Sequence, residues 1–240
     1  MCGVVAAFAG VPMMLMAGMA NNNATATVRS VIGRATYTED GGQATPLRPN
    51  TVLNPGAIIT TEADTTVDLQ VNGRTSTVRV TANTTMTLEK MLNLGAGDSE
   101  TMLNLKNGTV VGSVRKISKA SKYEVMTARG VAGIRGTDFA VSSLPNPNGA
   151  PTVTFSSVTG TVYCVANILV NNVMTQVPKT LNTGQSWTPP ETATSVIDPA
   201  VVATTVTPTA LVIIVPPPPV AAPPPPPPPA PPPTATAGAD

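Results

Sequence analysis

Val67, Leu69 and Val71 alternate with Thr66, Asp68 and Gln70. A period of two sends aliphatic side chains to one face of an extended chain and polar groups to the other, the pattern of a half-buried β-strand. Val78 and Val80 repeat it, as do Met86 and Leu88, and Leu103 and Leu105. Thr and Val dominate these runs, and both are β-branched and stiff at χ1 as strands prefer. Asn72-Gly73 and Asn107-Gly108 read as hairpin turns, because both residue types tolerate positive φ. Asp40-Gly41-Gly42, Asn54-Pro55-Gly56 and Asn148-Gly149 mark further turns. Helical spacing is confined to Thr85–Leu94, which allows one turn of helix. Short strands at this spacing predict an all-β domain over residues 27–190, twisted and solenoid-like or sandwich-like.

The flanks differ from this middle. Only 11% of the 240 residues are charged. No Lys, Arg, Asp or Glu precedes Arg29, and Asp240 is the only one after Asp198. Gly3–Ala20 is an apolar run that turns polar at Asn21-Asn22-Asn23, with small residues at Gly18, Ala20, Ala24 and Ala26. Residues 1–26 therefore read as a secretory signal peptide. The run is also long enough to span a bilayer, so an inner-membrane anchor through residues 3–20 is the alternative. At the other end, prolines crowd Pro216–Pro219, Pro223–Pro229 and Pro231–Pro233. Such a run lacks amide donors and has fixed φ, which predicts a disordered, extended polyproline II tail over residues 191–240. The expected location is the periplasm or cell surface, with no strong membrane association once the signal is cleaved.

Catalytic chemistry finds little to work with. The chain has no His, which removes His-based triads and His metal sites. Apart from Cys2, the only thiol is Cys164, in the strand-like Thr161-Val162-Tyr163-Cys164-Val165, where a buried and inert state is expected. Glu62, Asp64 and Asp68 alternate with Thr on the expected solvent face and read as solvated acids. No catalytic, cofactor-binding or metal-binding residue is assigned, and an enzyme is not expected.

Several stretches, in order, resemble the FecR domain. Val28–Ala35 (VRSVIGRA) is similar to its opening strand. Leu53–Thr61 (LNPGAIITT) is similar to an "L-x-x-G-D-x-I-x-T" turn and strand, with Ala57 where the family usually has Asp. Val67-Asp68-Leu69 with Asn72-Gly73 fits the next strand and its turn, and Leu103–Val110 fits an "L-x-x-G-x-V" step. Tyr123–Phe139 (YEVMTARGVAGIRGTDF) resembles the family hallmark, "V-x-T-P-x-x-x-A-x-V-R-G-T-x-F", with Ala128 where Pro is usual. Val158–Val162 and Leu181–Gln185 resemble the closing strands. The resemblance covers about 28–187 and implies a twisted, solenoid-like all-β domain in the periplasm. FecR regulators carry a cytoplasmic anti-sigma region ahead of a membrane helix. Only Met1 and Cys2 precede the apolar run here, so signalling to a sigma factor is not expected of this chain.

The hallmark residues Gly133, Arg135, Gly136, Thr137 and Phe139 have a physical reading of their own. Glycines at 130, 133 and 136 within strands mark bulges, corners or close backbone approaches. Ile134, Thr137 and Phe139 supply core and edge contacts. Arg135 is expected to cap carbonyls or to pair with Asp138 or Glu124, since a planar five-donor group ties strands together well. Arg115, Lys116, Lys119, Lys122, Arg129 and Arg135 face only Glu124 and Asp138 in this region. Of these, Arg115, Lys116, Lys119 and Lys122 form the candidate patch for an anionic partner, either an envelope protein or a polymer such as lipopolysaccharide or teichoic acid. An edge strand guarded by charge is the other reading. Nucleic acid is disfavoured, because net charge is +1 and aromatics are not interleaved. Two function classes remain: an envelope binding or sensing module, and a surface scaffold in which the domain and proline rod act as a spacer.

Overall fold

A computed structural model describes residues 22–73 and 76–193. The proline-rich tail and nearly all of the expected signal segment lie outside the described residues. The domain is all-β, as its residue pattern predicts, and its chain shuttles between two sheets.

β1 (Ala26–Ile32) opens the second sheet. β2 (Ala35–Thr38) and β3 (Thr45–Pro46) lie in the first, and β4 (Val52–Leu53) returns beside β1. β5 (Ile58–Thr61) is in the first sheet, β6 (Thr66–Val71) and β7 (Ser76–Val80) are in the second, and β8 (Thr85–Gly95) is back in the first. β9 (Asp98–Val114) belongs to both. β10 (Lys122–Thr127) and β11 (Gly130–Ile134) follow in the first sheet, then β12 (Asp138–Leu144) and β13 (Thr152–Thr159) in the second. β14 (Thr161–Val170) and β15 (Val173–Asn182) complete the first sheet, β16 (Ser186–Trp187) ends the second, and β17 (Thr192–Ala193) joins the first beside β14. Pairing is antiparallel except at β9–β10 and β14–β17.

The inward residues of both sheets form one core. Val67, Leu69, Val71, Val78, Val80, Met86, Leu88, Leu103 and Leu105 are all buried, on the parity their alternation predicts. The sheets meet face to face where Tyr123 of β10 lies 6.2 Å, centroid to centroid, from Phe139 of β12. Ser76 Oγ donates to Tyr123 Oη across the same gap at 3.3 Å. Burial pushes the Tyr123 phenol up, so it stays neutral and able to take part in that bond.

Two local expectations fail for related reasons. Thr85–Leu94 is strand, not helix. Its ladder to β9 slips between Thr87 and Lys90, so Leu88 and Met91 both point inward although three positions apart. A bulge imitates helical spacing in this way. Asn107-Gly108 is not a hairpin turn but the bend at which β9 leaves one sheet for the other. Burial falls on odd positions through Leu105 and on even positions from Gly108. Gly108 has φ +94, and Thr109 N donates to Thr84 Oγ1 at 3.0 Å. Asn72-Gly73 does turn β6 into β7, with both residues at positive φ.

Among the described residues, backbone pairing begins ahead of residue 27. Ala24 N donates to Met91 O, Asn93 N donates to Asn22 O, and Ala24 and Ala26 are buried. Glu62 and Asp64 are exposed, while Asp68 receives both Nε and Nη2 of Arg79, at 2.7 and 3.0 Å.

Candidate functional site: a basic end of the sandwich

Asp98, at the start of β9, organises the segment that carries the candidate patch. Ser118 Oγ donates to the Asp98 carboxylate, and the amides of Ala120 and Ser121 both donate to Ser118 Oγ at 3.1 Å. Ser99 N donates to Ser121 Oγ at 3.0 Å. The loop between β9 and β10 is therefore pinned from within, and its backbone groups are engaged by its own serines. Arg115, Lys116 and Lys119 point outward from it and are exposed.

The hallmark turn packs onto this loop. Gly136 has φ +69, and a side chain there would stand 3.0 Å from Lys116 Cα. The positive φ and the close approach to the Lys116 backbone together favour glycine there. Arg135 is exposed and sits in this turn, next to the loop. The β10–β11 register pairs Glu124 with Gly133, and continuing it by two residues sets Arg135 opposite Lys122. The structure thus gathers Arg115, Lys116, Lys119, Lys122 and Arg135 at one end of the domain.

The acids at this end are already engaged. Lys122 Nζ reaches Glu124 at 3.1 Å, Thr159 Oγ1 donates to Asp138 at 2.7 Å, and Asp98 holds Ser118. Arg115, Lys116, Lys119 and Arg135 have no ion pair or hydrogen bond among the described residues, so their charge faces solvent. Lys122 contributes less, because Glu124 partly neutralises it.

Arg135 corrects the expectation for the hallmark. It ties no strands, because it falls just past the end of β11 in an exposed turn. Arg129, in the β10–β11 turn at the opposite end, plays that part instead. It is buried, and its Nη2 donates to Pro190 O at 2.6 Å. Its carbonyl accepts from Asn167 N at 2.8 Å. Arg129→Ala is therefore expected to cost about 2 kcal/mol, the scale of a lost charge-assisted bond. Arg135→Ala should stay within about 0.5 kcal/mol of the parent, as exposed substitutions do. Urea denaturation of both variants checks the contrast, and a large loss for Arg135→Ala would restore the tying role.

The remaining hallmark residues sort by their contacts. Phe139 and Thr137 are buried as expected. Gly130 is forced by space, since a methyl there would lie 2.3 Å from Val165 O. Gly133 is not, because the nearest atom to such a methyl is 3.5 Å away. Cys164 is buried and free, and burial pushes its thiol up to about 12, which leaves it a poor nucleophile at neutral pH.

Comparison with known proteins fits this architecture. Residues 57–163 match the family model described as FecR protein. The match begins at the buried Ala57, ahead of β5, and ends at Tyr163 in β14, so it contains the whole basic end. Over these residues the domain is similar to the FecR family. The resembling segments at Val28–Ala35 and Leu181–Gln185 fall outside the match yet belong to the same sandwich. No curated protein matches. Two crystal structures of a candidate anti-sigma factor from Parabacteroides distasonis ATCC 8503, at 2.50 and 1.65 Å, align with a TM-score of 0.43 and 12% identity. The alignments cover 56% of this chain and 55% of theirs, so this chain spans about half the length of those proteins.

Proposed function

We propose that this chain is a non-enzymatic, exported envelope module that binds an anionic partner, a protein surface or an envelope polymer, through the basic end of its FecR-like domain. One observation carries the reading: four exposed cations, Arg115, Lys116, Lys119 and Arg135, converge on one end while the neighbouring acids are held by other groups. Export follows from the apolar Gly3–Ala20 run and its small-residue border. Exposed cations gathered on one loop and the turn beside it act together on an anion and are screened together by salt.

Changing Arg115, Lys116 and Lys119 together to Ser tests this. These side chains make no bond that the fold uses, so the melting temperature should barely move, with each change worth at most about 0.5 kcal/mol. Retention on isolated envelopes should fall, and added salt should produce the same fall in the parent protein. Adding Arg135→Ser should deepen the loss. Retention that is unaltered and independent of salt would count against an anion-binding module and favour the scaffold reading.

A further inference from the structure

The first sheet ends in a long strand with no further strand beside it among the described residues. β15 runs from Val173 to Asn182 and pairs only with β14 among the described strands. The other terminal strands of the two sheets are β3, β4, β16 and β17, of two residues each. Long exposed edges offer a row of backbone donors and acceptors to another strand, and proteins usually blunt them.

The hydrogen bonds of β14 identify which groups of β15 are free. Asn171 and Asn172 both have positive φ and close a two-residue hairpin between Val170 and Val173. In such a hairpin the closing pair is bonded, and the pairs then alternate. Leu169 N and Asn167 N accordingly turn away from β15, to Glu191 O and Arg129 O. Their cross-strand partners, Met174 and Gln176, must point their N–H and C=O toward the open edge. Pro178, opposite Val165, falls on the same outward set. Its missing N–H costs the hairpin nothing, but it ends the row of donors. The open row is bounded by the turn on one side and by Pro178 on the other, which leaves Val173–Val177.

We infer that this window is the contact through which two copies of the chain pair, edge to edge and antiparallel, about a two-fold axis at Thr175. The sequence VMTQV suits that axis. Val173 falls opposite the second copy's Val177, Met174 opposite Gln176, and Thr175 opposite Thr175. Met174 and Gln176 form bonded pairs in both directions, and no like charges meet. Lys179, the one charge on the strand, lies beyond Pro178 and outside the window. Val173 and Met174 are 64% and 66% exposed, and pairing covers both, while Val177 already packs against the core and lets a second Val173 extend it. Five residues a side bury less than the roughly 1,000 Å² of a stable interface, so the dimer is weak and concentration-dependent.

Sedimentation equilibrium of the full chain across the micromolar range should show a monomer–dimer equilibrium. Gln176→Pro removes one outward N–H and leaves the β14 ladder intact, because that N–H does not face β14. It should raise the dimer dissociation constant at least about tenfold with no change in thermal melting. In a Cys2→Ser background, Thr175→Cys should cross-link copies on mild oxidation. Facing residues on the axis form a non-bonded pair, whose spacing a disulfide fits. Thr180→Cys should not cross-link, since this register places it past the turn that begins the second copy's β15, with no residue of that strand opposite it. A parent protein that stays monomeric would overturn the inference. So would a dimer that survives Gln176→Pro, or one that cross-links through Thr180 as readily as through Thr175.

Discussion

Gly108→Ala is expected to remove most of the stability of the domain. β9 bends at this residue to pass from one sheet to the other, with φ +94. An added methyl would lie 2.1 Å from Thr84 Oγ1, 2.5 Å from Thr84 Cα and 2.6 Å from its Cβ. The backbone conformation and the space therefore both exclude a side chain. The Thr84 hydroxyl bonds Thr109 N at 3.0 Å, so moving it aside also releases a ladder group. The combined loss should reach about 4 kcal/mol or more, the range reserved for strained or overpacked sites and a large part of a domain's total. Trimming Thr84 to Ala should not rescue the variant, because Thr84 Cα alone is too close. Urea denaturation of the single and double variants is the measurement, and a near-parental midpoint for Gly108→Ala would refute the bend.

The second large effect lies in the contact between Gly112 and Phe139. A methyl at Gly112 would meet Phe139 Cζ at 2.5 Å and Cε1 at 2.6 Å, with Thr77 O at 3.1 Å. Phe139 is fully buried and its ring also packs against Tyr123. The ring cannot retreat without disturbing the join between the sheets, so Gly112→Ala should cost about 3 kcal/mol by overpacking. Here the obstacle is the far end of a side chain, and a shorter one relieves it. In Gly112→Ala with Phe139→Leu, the combined loss should fall short of the sum of the two single losses by about 1–2 kcal/mol, as expected for residues in direct contact. Additive losses would place the two residues apart.

These two glycines show how far residue order could be read. The alternation of β6 and β7 states burial directly, because each strand lies wholly in one sheet and one parity holds throughout. β8 and β9 keep that logic only locally. The bulge in β8 and the bend at Gly108 each shift the parity within a continuous strand, and no periodicity of the chain announces where the ladder will slip. Asn107-Gly108 was legible as a place needing positive φ. Whether the chain turns back there or changes sheet depends on Thr84, which is distant in sequence. At the basic end, Arg115, Lys116 and Lys119 were legible as outward charges on a polar loop. Arg135 was not, because apolar neighbours suggest burial, whereas its place in the turn after Ile134 decides exposure. Gly136 marked that turn, and the adjacent glycine was the available clue. Arg129 looked like one more cation of the run, and only the return of Pro190 across the first sheet reveals it as a tie.

β9 has a further consequence, for the order in which the structure can assemble. Every strand from β1 to β8 finds its partners among those eight or on β9, and every strand from β10 to β17 finds its partners among those eight or on β9. Among the described strands, no pairing links the two groups except through it. On the upstream side it meets β8 and β7, one in each sheet, and on the downstream side β10 and β12, again one in each. A chain emerging from its N-terminus can therefore lay down the first half around β9 before residue 115 is available. That half then presents two ready margins of one strand as templates, and vectorial synthesis supplies their partners in the sequence the topology requires.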